Sequence, residues 1–119
     1  MDYAKLFAEW YQLLKKRAVD WNIRKLPDNT EEMQMRKIIE EVLESLDSPN
    51  DVNEKADIII SIWGIERFDK KKGIVLAQAF WKLNTNVREI LIAADDKLDV
   101  LEAREYHIVN GVYHHEEDS

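Results

Sequence analysis

The chain has 119 residues, a net charge of -7, no cysteine and a hydrophobic fraction of 45%. These figures fit a single folded domain over residues 1–119 and exclude a disulfide scaffold, a thiolate zinc site and a cysteine nucleophile. The acidic balance argues against nucleic acid or an anionic membrane as a partner, and no apolar run is long enough to span a membrane. Since the N-terminal residues show no secretion signal, we expect a cytoplasmic protein.

Four segments show the apolar spacing of amphipathic helices, at about residues 2–22, 30–47, 51–68 and 74–94. The second follows three candidate helix-capping residues, Asp28, Asn29 and Thr30, and has Glu31 and Glu32 in its first turn. The third is apolar on nearly every side, so we expect it to be the most buried. A short turn around Pro49 separates the second and third segments, which should therefore pack antiparallel.

The C-terminal quarter is less regular. Residues 95–105 fit either a further helix or a loop, and residues 107–115 have strand-like character around Asn110-Gly111. The sequence thus predicts an all-α protein, a four- to five-helix bundle with a short C-terminal tail.

Two pairs of carboxylates flank the turn at Pro49. Glu41 and Glu44 are three residues apart on one predicted helix, and Glu54 and Asp57 have the same spacing on the next. The two pairs lie at equal distances along the chain from Pro49, so antiparallel packing places them at matching heights. We therefore expect these four side chains to form one cluster.

A cluster of hard oxygen ligands without histidine or cysteine suits Mg²⁺ or Mn²⁺, and such ions commonly bind phosphates as well. The pattern indicates a phosphate ester or anhydride as the substrate. The competing interpretation is a solvated acidic face, because a third of the chain is charged. A ferritin-type di-iron site requires Glu-x-x-His on two helices, which these helices lack.

These motifs resemble those of the all-α nucleoside triphosphate pyrophosphohydrolases, the MazG-like group, and especially its small phage-type dATP/dGTP pyrophosphohydrolases. That family has E-x-x-E on one helix and E-x-x-D on the next, followed by Lys-x-x-x-Asn with an arginine. The matching segments are Lys37-Ile38-Ile39-Glu40-Glu41-Val42-Leu43-Glu44, Glu54-Lys55-Ala56-Asp57 and Lys82-Leu83-Asn84-Thr85-Asn86-Val87-Arg88. Gly111-Val112-Tyr113-His114-His115 is similar to the Gly-aromatic-His tail of the phage-type members.

The resemblance implies a MazG-like bundle that hydrolyses a nucleoside triphosphate to the monophosphate and pyrophosphate, with purine deoxynucleotides as substrates. The carboxylates that would hold Mg²⁺ or Mn²⁺ are Glu41, Glu44, Glu54 and Asp57. A catalytic role would fall to Glu40 and Glu41, with Glu40 as a possible base. The phosphate ligands would be Lys82, Asn86 and Arg88.

Two features depart from the family pattern. The gap between Glu44 and Glu54 is shorter than in most members. If the chain is shortened equally on both sides of the turn, however, the two carboxylate pairs still lie at matching heights. Arg88 follows Lys82 by six residues, whereas the family spacing is nearer seven. Phe80 and Trp81 are candidates to stack on the base, or else core residues.

Several alternatives remain open at this point. His114 and His115 are most simply read as a polar tail. The chain could be a non-catalytic acidic helical module that binds a basic partner, or the same fold acting on dUTP, dCTP or phosphoribosyl-ATP. The resemblance also implies a homodimer or homotetramer, with an interface on exposed apolar residues of the first and fourth helices, and a cytoplasmic location, in a host cell if the chain is phage-encoded.

Overall fold

The computed structural model describes residues 1–115, except the side chain of Val112, and shows five helices followed by a β-hairpin. The elements are α1 (Tyr3–Lys25), α2 (Glu31–Ser45), α3 (Val52–Ile65), α4 (Lys70–Lys82), α5 (Val87–Ala103), β1 (Tyr106–Val109) and β2 (Val112–His115). The predicted all-α bundle of four to five helices is confirmed, and its short tail is the hairpin. Residues 116–119 of that tail lie outside the described part of the chain.

Side-chain caps fix where four of the helices begin. The side chains of Asp2, Thr30, Asp51 and Asp69 each accept a hydrogen bond from a backbone N–H in the first turn of α1, α2, α3 and α4. Such caps satisfy donors that have no partner within the helix. Of the three candidate caps for α2, Asp28, Asn29 and Thr30, the structure uses Thr30.

The prediction of one helix over residues 74–94 is wrong. α4 already begins at Lys70 and ends at Lys82, and α5 runs from Val87 to Ala103. Asn84 donates a side-chain hydrogen bond of 2.8 Å to the carbonyl of Phe80 and so satisfies the end of α4. Asparagine competes in this way with helical hydrogen bonding, and it breaks the helix although the apolar spacing continues. Residues 95–105, left between helix and loop, belong largely to α5.

α3 is the centre of the bundle, as predicted. It packs against each of the other four helices. Most of its residues are buried, namely Ala56, Ile58, Ile59, Ile60, Ser61, Ile62, Trp63, Gly64 and Ile65. Because α2 and α5 both lie against α3, the polar N-terminal turns of α3 are held between these two helices. That arrangement positions the carboxylates described below.

Apolar side chains remain exposed on several helices. They include Tyr3, Leu6 and Leu13 on α1 and Val75 on α4. α2 also exposes Ile39 and Leu43, and Leu46 just after it is exposed as well, which the sequence did not indicate. Over residues 1–115, no helix is long and apolar enough to cross a membrane.

Candidate metal and substrate site

Three of the four predicted carboxylates come together at the α2–α3 junction. Glu41, Glu44 and Glu54 each place one carboxylate oxygen within 4.8 Å of the other two. The i, i+3 spacing puts Glu41 and Glu44 on one face of α2, and the short turn brings Glu54 opposite them. Oxygens this close could together hold a metal ion, with small movements of the side chains.

Asp57 lies one turn further along α3 and faces the same cavity, but it is outside the group of three. It forms an ion pair of 3.3 Å with Lys97 of α5. Burial raises the pKa of Asp57, and the neighbouring Lys97 opposes that rise. The negative charge of Asp57 in turn raises the pKa of Glu41, so the two carboxyl groups are electrostatically coupled.

Glu41 is the most enclosed member of the cluster, with 7% of its surface exposed. Burial raises its pKa to about 7; Lys37 opposes this rise, and Asp57 and Glu44 add to it. The Lys37 ammonium lies 3.2 Å from Glu41 and 3.7 Å from Glu40. A carboxyl group with a pKa near neutrality, beside other carboxylates, is typical of metal and catalytic sites.

The environment of the Glu54 carboxylate bears directly on whether a cation fits here. Its Oε2 atom is buried and makes no hydrogen bond with any residue from 1 to 115. Burial raises the pKa of Glu54, and the charges of Asp57 and Glu44 raise it further. A buried carboxylate oxygen without a donor is unfavourable, and a divalent ion shared with Glu41 and Glu44 would satisfy it. The donor set therefore fits Mg²⁺ or Mn²⁺.

A cavity of about 260 Å³ extends from these carboxylates between α1, α2, α3 and α5. Its acidic lining consists of Glu40, Glu41, Glu44 and Asp57. Three cationic side chains also line it, Lys37, Lys97 and Arg104. The remaining polar and aromatic lining includes Trp21, Asn22, Asn29, Gln34, Tyr106, Tyr113, His114 and His115.

A buried network of three carboxamides forms one wall of the cavity. The Oε1 atom of Gln34 accepts hydrogen bonds from Asn22 and Asn29, at 3.0 and 2.7 Å. Gln34 donates to the carbonyl of Ser61 on α3 at 2.7 Å, and Asn29 donates to Asn22 Oδ1 at 3.0 Å. The network fixes the α1–α2 turn against α3, so this wall is rigid.

The three residues expected to bind phosphate do not line the cavity. Lys82 ends α4, Asn86 precedes α5, and Arg88 lies exposed in the first turn of α5. Trp81 does not reach the cavity either; its Nε1 donates to the hydroxyl of Tyr11 at 2.9 Å, and its ring packs on Phe80. In contrast, His114 and His115, read as a polar tail, lie in the cavity wall.

Sequence reasoning missed the cations that do face the carboxylates, Lys37, Lys97 and Arg104. One signal was present, because Arg104 follows Lys97 by seven residues, the spacing expected for the lysine and arginine of the resembling family. The fourth position after Lys97 is Leu101 rather than an asparagine, which hid the match. Because one helix was predicted over residues 74–94, Lys97 and Arg104 fell in a stretch that fitted either a further helix or a loop.

Comparisons with known proteins add no assignment. No model of a known family matches this chain, and neither a curated protein nor a solved structure does. The function must be argued from the site.

Proposed function

We propose that the protein is a divalent-cation-dependent hydrolase that converts a nucleoside triphosphate to the monophosphate and pyrophosphate. One observation carries the proposal. The oxygens of Glu41, Glu44 and Glu54 gather within 4.8 Å at the edge of a cavity that Lys37 and Lys97 also line. Adjacent sites for a divalent cation and for anionic oxygens suit a polyphosphate bound with its metal ion.

In this proposal Glu41, Glu44 and Glu54 hold Mg²⁺ or Mn²⁺, with Asp57 beside them. A bound ion of this kind neutralises phosphate oxygens and lowers the pKa of a coordinated water. Glu40 lines the cavity outside the group of three oxygens. It is the proposed base that takes the proton of the attacking water.

Lys37 and Lys97 have a dual role in this account. Without a ligand they neutralise Glu41 and Asp57, at 3.2 and 3.3 Å. Once a cation compensates the carboxylates, both ammonium groups can turn to phosphate oxygens, which they bind as point charges. Arg104, whose planar guanidinium can bind two phosphate oxygens at once, completes the cationic wall.

The finer assignments follow from the resemblance in sequence and belong to the same proposal. They are the MazG-like type of fold, a purine deoxynucleoside triphosphate as substrate, a homodimer or homotetramer, and the cytoplasm as location. The alternatives dUTP, dCTP and phosphoribosyl-ATP share the phosphate chemistry. A non-catalytic acidic module is less well supported, because Glu41 is buried beside its own cations rather than displayed on a solvated face.

The test is phosphorus NMR of products from a panel of the common deoxynucleoside and ribonucleoside triphosphates and phosphoribosyl-ATP, with Mg²⁺ or Mn²⁺. We expect monophosphate and pyrophosphate, abolished by EDTA and reduced at least about a hundredfold by Glu41→Gln, as loss of a metal ligand predicts. Glu32→Gln is the matched control, because Glu32 lies on α2 but pairs with Arg36 away from the cavity. Release of orthophosphate, or equal activity of Glu41→Gln and wild type, would contradict the proposal.

A further inference from the structure

The C-terminal hairpin is a compact unit joined to the helices by a short extended connection. Tyr106 pairs with His115 and Val109 with Val112 across the two strands. Asn110 and Gly111 have φ angles of 53° and 75°, the backbone of a tight type I′ turn that matches the twist of the strands. Arg104, just after α5, already has extended backbone. Residues 104–105 are therefore the point about which the hairpin would turn as one body, and Glu105 there forms an ion pair of 3.6 Å with Lys25 of α1.

This hairpin forms one wall of the cavity. Tyr106, Tyr113, His114 and His115 all line it. The hydroxyl of Tyr113 accepts a hydrogen bond of 2.9 Å from the backbone N–H of Asp28, in the α1–α2 turn. The ring of Tyr106 meets Trp21 of α1 edge to face, with ring centroids 5.6 Å apart. In this position, which we call seated, the hairpin bridges α5 and the α1–α2 turn across the cavity.

Seating the hairpin leaves polar atoms without partners. The hydroxyl of Tyr106 and the Nε1 atom of Trp21 are buried, and neither makes a hydrogen bond within the described chain. Arg104 lies near enough to oppose the rise that burial causes in the pKa of Tyr106, but it makes no hydrogen bond of normal geometry to the hydroxyl. Water would satisfy both atoms if the hairpin moved away, so the seated position is opposed by their desolvation.

The size of the cavity bears on how the proposed nucleotide ligand would fit in it. Its volume is about 260 Å³. Pockets that enclose a drug-sized ligand run from about 300 to 1,000 Å³, and a nucleoside triphosphate is of that class. A polyphosphate nucleotide therefore cannot be enclosed while the hairpin keeps the described position.

We propose that the C-terminal hairpin is a lid, which swings about residues 104–105 to admit the ligand of this cavity and closes over it. Closing brings Tyr113 and His114 against the bound ligand and excludes water from the carboxylates and cations. The lid itself follows from the hairpin contacts, whereas the use of a nucleotide as its ligand rests on the proposed function.

Two matched substitutions separate the forces on the lid, because each removes one hydroxyl from the same hairpin. Tyr113→Phe deletes a hydroxyl that is paired only when the lid is seated, so the open-to-closed ratio should rise about three- to tenfold, as expected for one net hydrogen bond. Tyr106→Phe deletes a hydroxyl that is unpaired when seated, so the ratio should fall by a similar factor. The two changes are chemically identical and predict opposite shifts.

The measurement is a spin-label distance distribution, which the absence of native cysteine makes simple. Labels at Asn110→Cys, on the hairpin turn, and Asp20→Cys, on the exposed face of α1, report the lid against the helical body. In the free protein we expect a longer-distance population that grows in Tyr113→Phe and shrinks in Tyr106→Phe. Circular dichroism and thermal melting confirm that both variants fold.

The nucleotide arm uses a non-hydrolysable α,β-methylene triphosphate with Mg²⁺, which should draw all variants into one narrow population, shorter than the open distance but longer than that of the seated hairpin, because the ligand needs a larger cavity. Opposite shifts in the free variants without a nucleotide response retain the lid and count against the proposed nucleotide chemistry. Identical distributions in wild type, Tyr106→Phe and Tyr113→Phe overturn the lid, even if the protein hydrolyses nucleotides.

Discussion

Glu41 is the residue at which folding, protonation and metal binding are linked. Its pKa of about 7 lies above the ordinary 4.5 of a glutamate because the group is buried. Between those values the folded chain holds a proton that the unfolded chain has lost, so the free energy of unfolding falls as pH rises from about 4.5 to about 7. Above pH 7 this contribution is constant and unfavourable.

We therefore expect Glu41→Gln to stabilise the metal-free protein at pH 8. The gain should be about 1–3 kcal/mol. The pKa shift alone corresponds to about 3 kcal/mol, and the loss of the ion pair with Lys37 reduces that figure. Urea unfolding in EDTA at pH 5 and pH 8 measures it, with Glu32→Gln as the solvated control. A variant that keeps the wild-type difference between the two pH values would show that Glu41 is not the group responsible.

Gly64 is a residue whose lack of a side chain lets the carboxamide wall form. A Cβ at this position would lie 2.5 Å from Gln34 Nε2 and 2.8 Å from Asn22 Nδ2. Both amides are buried and hydrogen-bonded, so they cannot withdraw freely. A glycine inside a helix is unfavourable by about 1 kcal/mol relative to alanine, and this close approach explains why it is present.

Gly64→Ala should accordingly destabilise the protein by about 1–3 kcal/mol, despite the better helix propensity of alanine. Part of the loss should disappear when the same change is made in a Gln34→Ala background, because one of the two clashing groups is then absent. Chemical unfolding of the single and double variants gives this comparison. An additive double variant would mean that Gln34 does not resist the methyl group.

At the scale of elements, Arg67 holds the end of α1 against the end of α3. Its guanidinium donates to the carbonyls of Asn22, Leu26 and Pro27, at 3.0, 2.8 and 3.2 Å. The carbonyls of Asn22 and Leu26 also accept backbone hydrogen bonds from Leu26 and Asn29, at 3.0 Å each, so Arg67 adds a second, charged donor at the end of α1. The same contact fixes the turn that carries Asn29 and the start of α2.

Arg67→Ala should lower the free energy of unfolding by about 2–4 kcal/mol, because it leaves these helix-end carbonyls without their charged donor. Arg24→Ala is the comparison, since Arg24 forms an exposed pair with Glu102 whose loss should change stability little. Thermal and urea unfolding distinguish the two. Equal losses in both variants would deny Arg67 this capping role.

The sequence predicted the elements whose signals are local and repetitive. The capped start of α2, the largely apolar α3 and the turn at Asn110-Gly111 all follow from propensity and spacing. The α4–α5 break did not, because it depends on one side chain, Asn84, bonding back to a carbonyl. A single side-chain hydrogen bond of this kind does not change the periodic pattern of apolar residues in the sequence.

The carboxylates of the site were predictable from the sequence, and its cations were not. Mirrored spacing about the turn located Glu41, Glu44 and Glu54. In two antiparallel helices joined by a short turn, residues equally far from the turn along the chain lie at the same height. The cations were not located, since Lys97 and Arg104 reach the carboxylates through packing of α5 on α3 rather than through sequence proximity. A resemblance placed the phosphate ligands on Lys82, Asn86 and Arg88, which the fold keeps out of the cavity.

At the scale of the whole molecule, the acidic cluster sets a balance between stability and ligand binding. Carboxylates gathered on α2 and α3 repel each other in the metal-free state, and a bound divalent ion reverses the sign of the local field. Since the unfolded chain has no preformed site, an ion at a hundredfold excess over Kd adds about 2.7 kcal/mol of stability. That gain shifts the melting midpoint of a domain of this size by several degrees.

Glu54→Gln should therefore melt higher than wild type in EDTA and gain less from millimolar Mn²⁺. The substitution removes one charge and an unpaired buried oxygen, but also one ligand. Four thermal melts, wild type and variant under each condition, test both effects. Four identical melting midpoints would mean that the cluster behaves as an ordinary solvated acidic face.

The central claim is that Glu41, Glu44 and Glu54 form one divalent-cation site, and electron paramagnetic resonance of Mn²⁺ tests it most directly. A titration at pH 8, above the pKa of about 7 of Glu41, counts free Mn²⁺ as protein is added. We predict one saturable site in wild type and in Glu32→Gln, weakened about tenfold or more in Glu44→Gln and in Glu54→Gln, as loss of one ligand requires. Wild-type protein that leaves millimolar Mn²⁺ unbound, or variants that bind it as tightly as wild type, would contradict the claim.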